Sequence, residues 1–186
     1  MWTEDQDDLY WDEVDSAEQE LDDLASSYNN GEIDKDSFID KLKELVQKYY
    51  ILFALIGSGG KSIKGKDRQD LEFFLAATFS LIEDFRQTLD QEGITAAYIT
   101  WRASLYATAR HVFLRYTMPR DIFFVLPALP GVDCLGDGKC GCWLEIIEDG
   151  DEVQVYWHMN EDKEHCEVCL GYAMEWTPLI ISLSDF

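Results

Sequence analysis

Residues 34–60 read DKDSFIDKLKELVQKYYILFALIGSGG, and their spacing decides the fold class. Phe38, Leu42, Leu45, Val46, Tyr49 and Tyr50 recur at steps of three and four, the period that lines one face of an α-helix. Asp34 stands where a side-chain oxygen caps the first turn. Ile51 to Ile56 is apolar all round, so the second half of this helix is expected to be buried. Gly57, Gly59 and Gly60 then stop it.

Three further helices extend outward from this one. Upstream, Leu9, Tyr10, Val14, Leu21 and Leu24 give a partial apolar stripe, which predicts a helix over about 10–27 that frays toward its acidic start. Downstream, Asp67 is placed to cap a helix carrying Leu71, Phe74, Leu75, Thr78, Phe79, Ile82, Phe85 and Leu89, and Gly93 closes it. A fourth helix runs from about Thr95 to Tyr116, with Ala97, Tyr98, Trp101, Leu105, Thr108, Ala109, Val112 and Phe113 at similar spacing. Aromatic stripes at helical period read as bundle core, and short connections between such helices imply antiparallel neighbours.

After Tyr116 the chain changes character. Pro119, Pro127 and Pro130 argue against a continuing helix and for an extended strap around Ile122 to Leu126. Trp143 to Ile147 and Val153 to Trp157 read as strands, and the intervening Glu148-Asp149-Gly150-Asp151-Glu152 is turn chemistry, so a hairpin is expected. A short helix follows from about Cys166 to Trp176, and Leu179 to Leu183 is extended. The fold class expected is mainly α: an antiparallel helical bundle followed by a small zinc-stapled β-hairpin plus a short helix. The corresponding organisation is an acidic N-terminal helix or arm (1–27), the bundle (28–117), a Pro-rich strap (118–133) and a zinc-binding hairpin element (134–186).

Charge excludes several functions. The 186 residues hold 15 Lys and Arg against 37 Asp and Glu, a formal charge of −22. Such a surface repels phosphate and has no basic stripe to release counterions, which argues against direct nucleic-acid binding and against anionic lipid. Eleven of the acids fall in residues 1–24, where there is no Lys or Arg. They read as a solvated helix face, or else as a docking arm or mimic of nucleic-acid charge. No apolar run approaches the roughly 18 residues that span a bilayer. The opening MWTEDQDD lacks the basic start and apolar run of an export signal, so a cytoplasmic protein is expected.

All five cysteines lie between Cys134 and Cys169. Clustering without an export signal points to metal in preference to disulfides. Zinc takes four soft ligands in a tetrahedron, and the pairs Cys140-Gly141-Cys142 and Cys166-Glu167-Val168-Cys169 supply them if the hairpin brings them together. Four thiolates close the shell and leave no place for water, which makes the site structural. Cys134 and His165 are the spare candidates, as alternative ligands or as groups that orient a thiolate.

Other motifs carry less. Gly60-Lys61-Ser62 resembles the end of a phosphate-binding loop, but Leu55 stands where the pattern needs glycine, and the turn follows a helix. A cysteine nucleophile with His111 or His158 as base lacks any local signature. An enzyme would need an open coordination position, which this cysteine supply makes unnecessary.

Four segments in succession carry a resemblance: GEIDKDSFIDKLKELVQKYYILFALIGSGGKS (31–62), TAAYITWRASLYATARHVFLRY (95–116), LPGVDCLGDGKCGCWLEI (129–146) and YWHMNEDKEHCEVCLGYAMEW (156–176). Over about residues 28–186 the chain resembles the minor head or head-morphogenesis proteins of tailed phages, related loosely to the Mu F-type family. The resemblance implies a non-enzymatic virion component at or inside the head near the portal. Its partners would be portal or coat protein, with a homo-oligomer or ring as a further possibility, and it would pass through host cytoplasm during assembly. The matching cysteines are Cys140, Cys142, Cys166 and Cys169. One departure is that Cys134 precedes the Gly136-Asp137-Gly138 turn, whereas similar proteins place their extra cysteine after it. The acidic start lies outside the resemblance. The alternative function is an acidic decoy that inhibits a nucleic-acid-binding protein.

Overall fold

The computed structural model describes residues 3–90, 95–107, 110–118, 120–126, 142–149, 152–159 and 167–182. The chain divides into two compact units, residues 2–117 and 118–186.

The first unit is helical throughout its described elements: α1 (Glu4–Asn29), α2 (Lys35–Gly57), α3 (Lys66–Thr88), α4 (Ala96–Ala107) and α5 (Arg110–Thr117). In α1 the residues Tyr10, Val14, Ala17, Leu21 and Leu24, four and three apart, are all buried. The helix starts six residues before Tyr10 and does not fray there as its acids suggested. A capping box explains the difference: the Gln6 backbone N–H donates to Thr3 Oγ1 at 3.3 Å, and Gln6 Oε1 accepts the Thr3 N–H at 2.9 Å. The Gln6 amide also donates to the carbonyls of Ile56 and Gly57 at 2.7 and 3.1 Å, so one side chain completes the start of α1 and the end of α2.

Asp34 caps α2 as expected, accepting the Ser37 N–H at 2.7 Å, a bond that holds its carboxyl below the usual range. The second half of α2 is not wholly buried: Phe53 and Ala54 are, whereas Ile51 is 40% exposed. Ile51 lines a groove with Ile63, Leu71 and Leu75. Gly57 belongs to the helix, and the stop comes at Gly59 and Gly60, whose φ of 64° and 77° suits glycine. Gly57 is instead a close approach, since a Cβ there would lie 2.6 Å from the Phe113 carbonyl oxygen and 2.9 Å from Tyr116 Cβ.

Asp67 does not cap α3. The N-cap is Gly65, with φ 57° and no side-chain bond, while Asp67 sits inside the first turn and binds Arg115. The helix ends at Thr88, and Gly93 lies outside the described residues. Tyr28 stacks on Phe38 and Tyr10 packs on Phe53, so α1 and α2 are antiparallel. Arg86 pairs with Asp36, Lys43 with Glu83 and Lys35 with Asp90, which sets α3 antiparallel to α2. Phe85 meets Tyr98, Phe74 meets His111 and Arg115 meets Asp70, which runs α4 and α5 back along α3. Thr95 Oγ1 accepts the Tyr98 N–H at the start of α4. Within the stretch expected as one helix, residues 108 and 109 lie outside the described set.

The second unit opens with a correction. Residues 120–125 form a helix, α6 (Arg120–Val125), in place of the extended strap. Proline is compatible with a helix's first turn, and the residues between Pro119 and Pro127 leave room for one and a half turns. The hairpin is present: β1 (Trp143–Asp149) and β2 (Glu152–His158) pair antiparallel, and Asp149 opposite Glu152 leaves Gly150 and Asp151 as the connection. After α7 (Glu167–Glu175), β3 (Leu179–Ser182) pairs antiparallel on the other side of β2, giving the order β1-β2-β3. The architecture is therefore mainly helical with a small three-stranded antiparallel sheet.

Candidate metal centre

Strand alternation sets up the site. Val153, Val155 and Trp157 are buried while their neighbours on β2 are less so, and the register puts Leu144 opposite Trp157 and Ile146 opposite Val155 on the same face. Helix α7 covers this face: Tyr172 and Trp176 pack on the Trp157 indole with ring centroids 4.9 and 5.3 Å away. The opposite face is polar, with His158 Nε2 at 2.9 Å from Glu145 Oε2 and the Tyr156 hydroxyl donating to Gln154.

Two of the expected ligands fall in the covered layer. Cys142 is 1% exposed and stands two residues before Leu144, so strand period places it on Leu144's side. Cys169 is 0% exposed and stands one helical turn before Tyr172, on the side of α7 that faces Trp157. Cys140, Cys166, Cys134 and His165 lie outside the described residues. Among the described residues, no group of three or more His, Cys, Asp or Glu side chains is arranged to hold a metal. Among the described residues, the buried Trp157 Nε1–H has no acceptor.

The remaining chemical candidates sit in the helical unit. His111 lies edge-on to Tyr50 and Phe74, and burial pushes its imidazole down to about 4. The Tyr50 hydroxyl shares a 2.7 Å bond with Thr78, and burial pushes the phenol well above its ordinary value. Tyr50 belongs to the core, and His111 packs at its edge. Lys48 and the Tyr49 hydroxyl converge on Glu20 Oε1 at 2.5 and 2.8 Å, and the bond from Lys48 holds that carboxyl below its usual range.

A buried ion pair was not expected from sequence. Arg115 and Asp70, with side chains 3% and 7% exposed, join α5 to α3, and Arg115 also donates to Asp67 at 2.7 Å. The signal was present as Asp67 and Asp70 three apart on the side of the helix that carries Leu71 and Phe74.

Comparison with protein-family models, with curated proteins and with solved structures returned no match. Among the described residues, no helix is long and apolar enough to cross a membrane.

Proposed function

We propose that this chain is a non-enzymatic structural or assembly protein of a phage-like head, in which Cys140, Cys142, Cys166 and Cys169 hold a structural zinc ion. The observation that supports the zinc is the burial of both Cys142, next to β1, and Cys169, on α7. Zinc would convert its binding energy into folding energy for a unit with few strands and a short helix. The four-thiolate shell leaves the ion no open position for substrate or water. The head-assembly part of the reading rests on the order of the four sequence segments, and its partner is a portal or coat protein.

Co-expression with the portal and coat proteins of the same phage genome tests the reading. The expected result is a stable complex with one of them; a chain that remains separate from both overturns it. For the zinc, elemental analysis of purified protein should give about one equivalent. Cys166→Ser should lose it while the helical signal of the bundle persists.

One observation favours the acidic decoy as a second reading. Asp5, Asp8, Asp12, Asp15 and Asp22 are all exposed along one side of α1, opposite its buried stripe, so the carboxylates form an ordered row. Because Tyr10 and Leu21 are core residues, the row is best tested by Asp→Asn replacements and not by deleting the helix. Inhibition of a nucleic-acid-binding partner that survives those replacements would dismiss this reading.

A further inference from the structure

We infer that the outer face of α3 is a seam on which a second copy of this chain packs, with the two α3 helices antiparallel. The inference uses α3 alone and stands apart from the head-assembly reading. In a chain of charge −22, the residues from Phe73 to Ile82 carry no charge. Part of that run is core, with Phe74, Thr78 and Ile82 buried. The rest faces solvent: Phe73 is 65% and Leu81 49% exposed, and Ala76, Ala77 and Ser80 lie open on the same side.

The arrangement complements itself. In an antiparallel pair centred between Ala76 and Ala77, position 73 of one copy falls opposite position 80 of the other. Each Phe73 then enters the shallow site between Ala77, Ser80 and Leu81 of the other copy, a knob over small residues that let the backbones approach. A parallel pair would set Phe73 against Phe73 and leave the small residues facing one another.

Charge favours the same orientation. The approach to α3 is the most basic part of the chain, with Lys61, Lys64, Lys66 and Arg68, and of these Arg68 pairs with Glu72. Lys61, Lys64 and Lys66 are exposed. The other end of the open face carries the exposed Asp84. Antiparallel packing brings Lys66 of each copy within side-chain reach of Asp84 of the other, at both ends of the seam. Helix α3, at 23 residues, is about 34 Å long. A single helix pair of that length lies at the small end of specific interfaces, so a dimer in the micromolar range is expected.

Sedimentation velocity on the full-length protein under reducing conditions, over roughly 1 to 200 µM, tests this. The expected result is a concentration-dependent monomer–dimer equilibrium. Phe73→Glu should raise the dissociation constant by at least about tenfold, with helicity unchanged because the side chain is already exposed. Lys66→Asp should weaken the dimer, and Lys66→Asp combined with Asp84→Lys should restore it to within about twofold. A monomer throughout the range overturns the proposal and returns the face to a different partner or to none. So does an oligomer indifferent to Phe73→Glu. Failure of Asp84→Lys to restore the dimer that Lys66→Asp weakens overturns the antiparallel arrangement.

Discussion

Arg115 donates through both Nε and Nη2 to a single oxygen, Oδ2 of Asp70, at 2.9 and 2.6 Å, and both side chains are almost wholly out of solvent. The pair ties α5 to α3, beside the Phe74–His111 ring contact. Pairs such as Lys35–Asp90 are exposed on one side and contribute about 0.2–1 kcal/mol each. Removing one partner of a buried pair and stranding the other charge costs about 3–5 kcal/mol. Arg115 keeps its 2.7 Å bond to Asp67, so the cost of losing Asp70 falls below that range. Asp70→Ala should still lower the unfolding free energy, measured by urea titration, by more than Asp90→Ala. Asp70→Leu combined with Arg115→Met should recover most of the loss. Equal effects of Asp70→Ala and Asp90→Ala would show that the buried pair contributes no more than a surface one.

Gly57→Ala sets helix propensity against packing. Alanine is favoured over glycine within a helix by about 1 kcal/mol. Here the added methyl would stand 2.6 Å from the Phe113 carbonyl oxygen, a backbone atom that cannot rotate away. Forcing α2 and α5 apart costs about 1–3 kcal/mol or more, so packing wins and the substitution should destabilise. Thermal unfolding checks the sign, and a raised midpoint would mean that the two helices separate freely.

Most of the periodic positions were legible from sequence and the exceptions were not. Phe38, Leu42, Val46, Tyr49 and Tyr50 are buried, as a 3.6-residue period requires, whereas Leu45 is half-buried and Leu9 exposed at the edges of their stripes, and Asp34 caps where a cap was expected. Gly57 looked like a terminator because glycine ends helices more often than it marks a helix crossing, and only the position of α5 distinguishes the two. Asp67 looked like a cap because the later partner, Arg115, lies 48 residues away. The helix at Arg120–Val125 was hidden by prolines on either side of it, which constrain their own positions and not the residues between them. Of the candidate metal centre, the hairpin was legible from strand patterning and turn chemistry, whereas its register and the burial of Cys142 and Cys169 came only from the structure.

His111 should make the helical unit sensitive to mild acid. Its imidazole titrates near 4 in the folded protein because burial between Tyr50 and Phe74 disfavours the charged form, against 6.5 when it is exposed in the unfolded chain. Between those values the unfolded state binds a proton that the folded state does not. Stability is therefore full above about pH 6.5 and falls as pH drops toward 4, by up to roughly 3 kcal/mol. Relief of repulsion among the many carboxylates acts in the opposite sense, so the comparison must be with His111→Phe, which keeps the ring and removes the titration. The difference in urea midpoint between the two proteins should change steadily from pH 7 to pH 4.5. A constant difference would mean that the ring is protonated in the folded state.

Removal of the proposed zinc should separate the two units' responses. The described core of the second unit is small: Met118, Phe123, Cys142, Leu144, Val153, Val155, Trp157, Cys169 and Trp176 are buried, whereas Phe124, Ile147, Leu170, Met174 and Ile180 are exposed. Such a core leaves little margin once a structural ion is lost, and structural zinc sites commonly supply on the order of 10 kcal/mol at neutral pH. A strong chelator should therefore abolish the near-ultraviolet signal of the Trp157–Tyr172–Trp176 cluster. The far-ultraviolet helical signal, dominated by α1, α2 and α3, should fall only slightly. Cys142→Ser and Cys169→Ser should reproduce the chelated state, and Cys134→Ser should not if the four paired thiols are the ligands. A tryptophan signal that withstands the chelator and both substitutions would mean that the layer between sheet and α7 is held by its aromatic side chains alone.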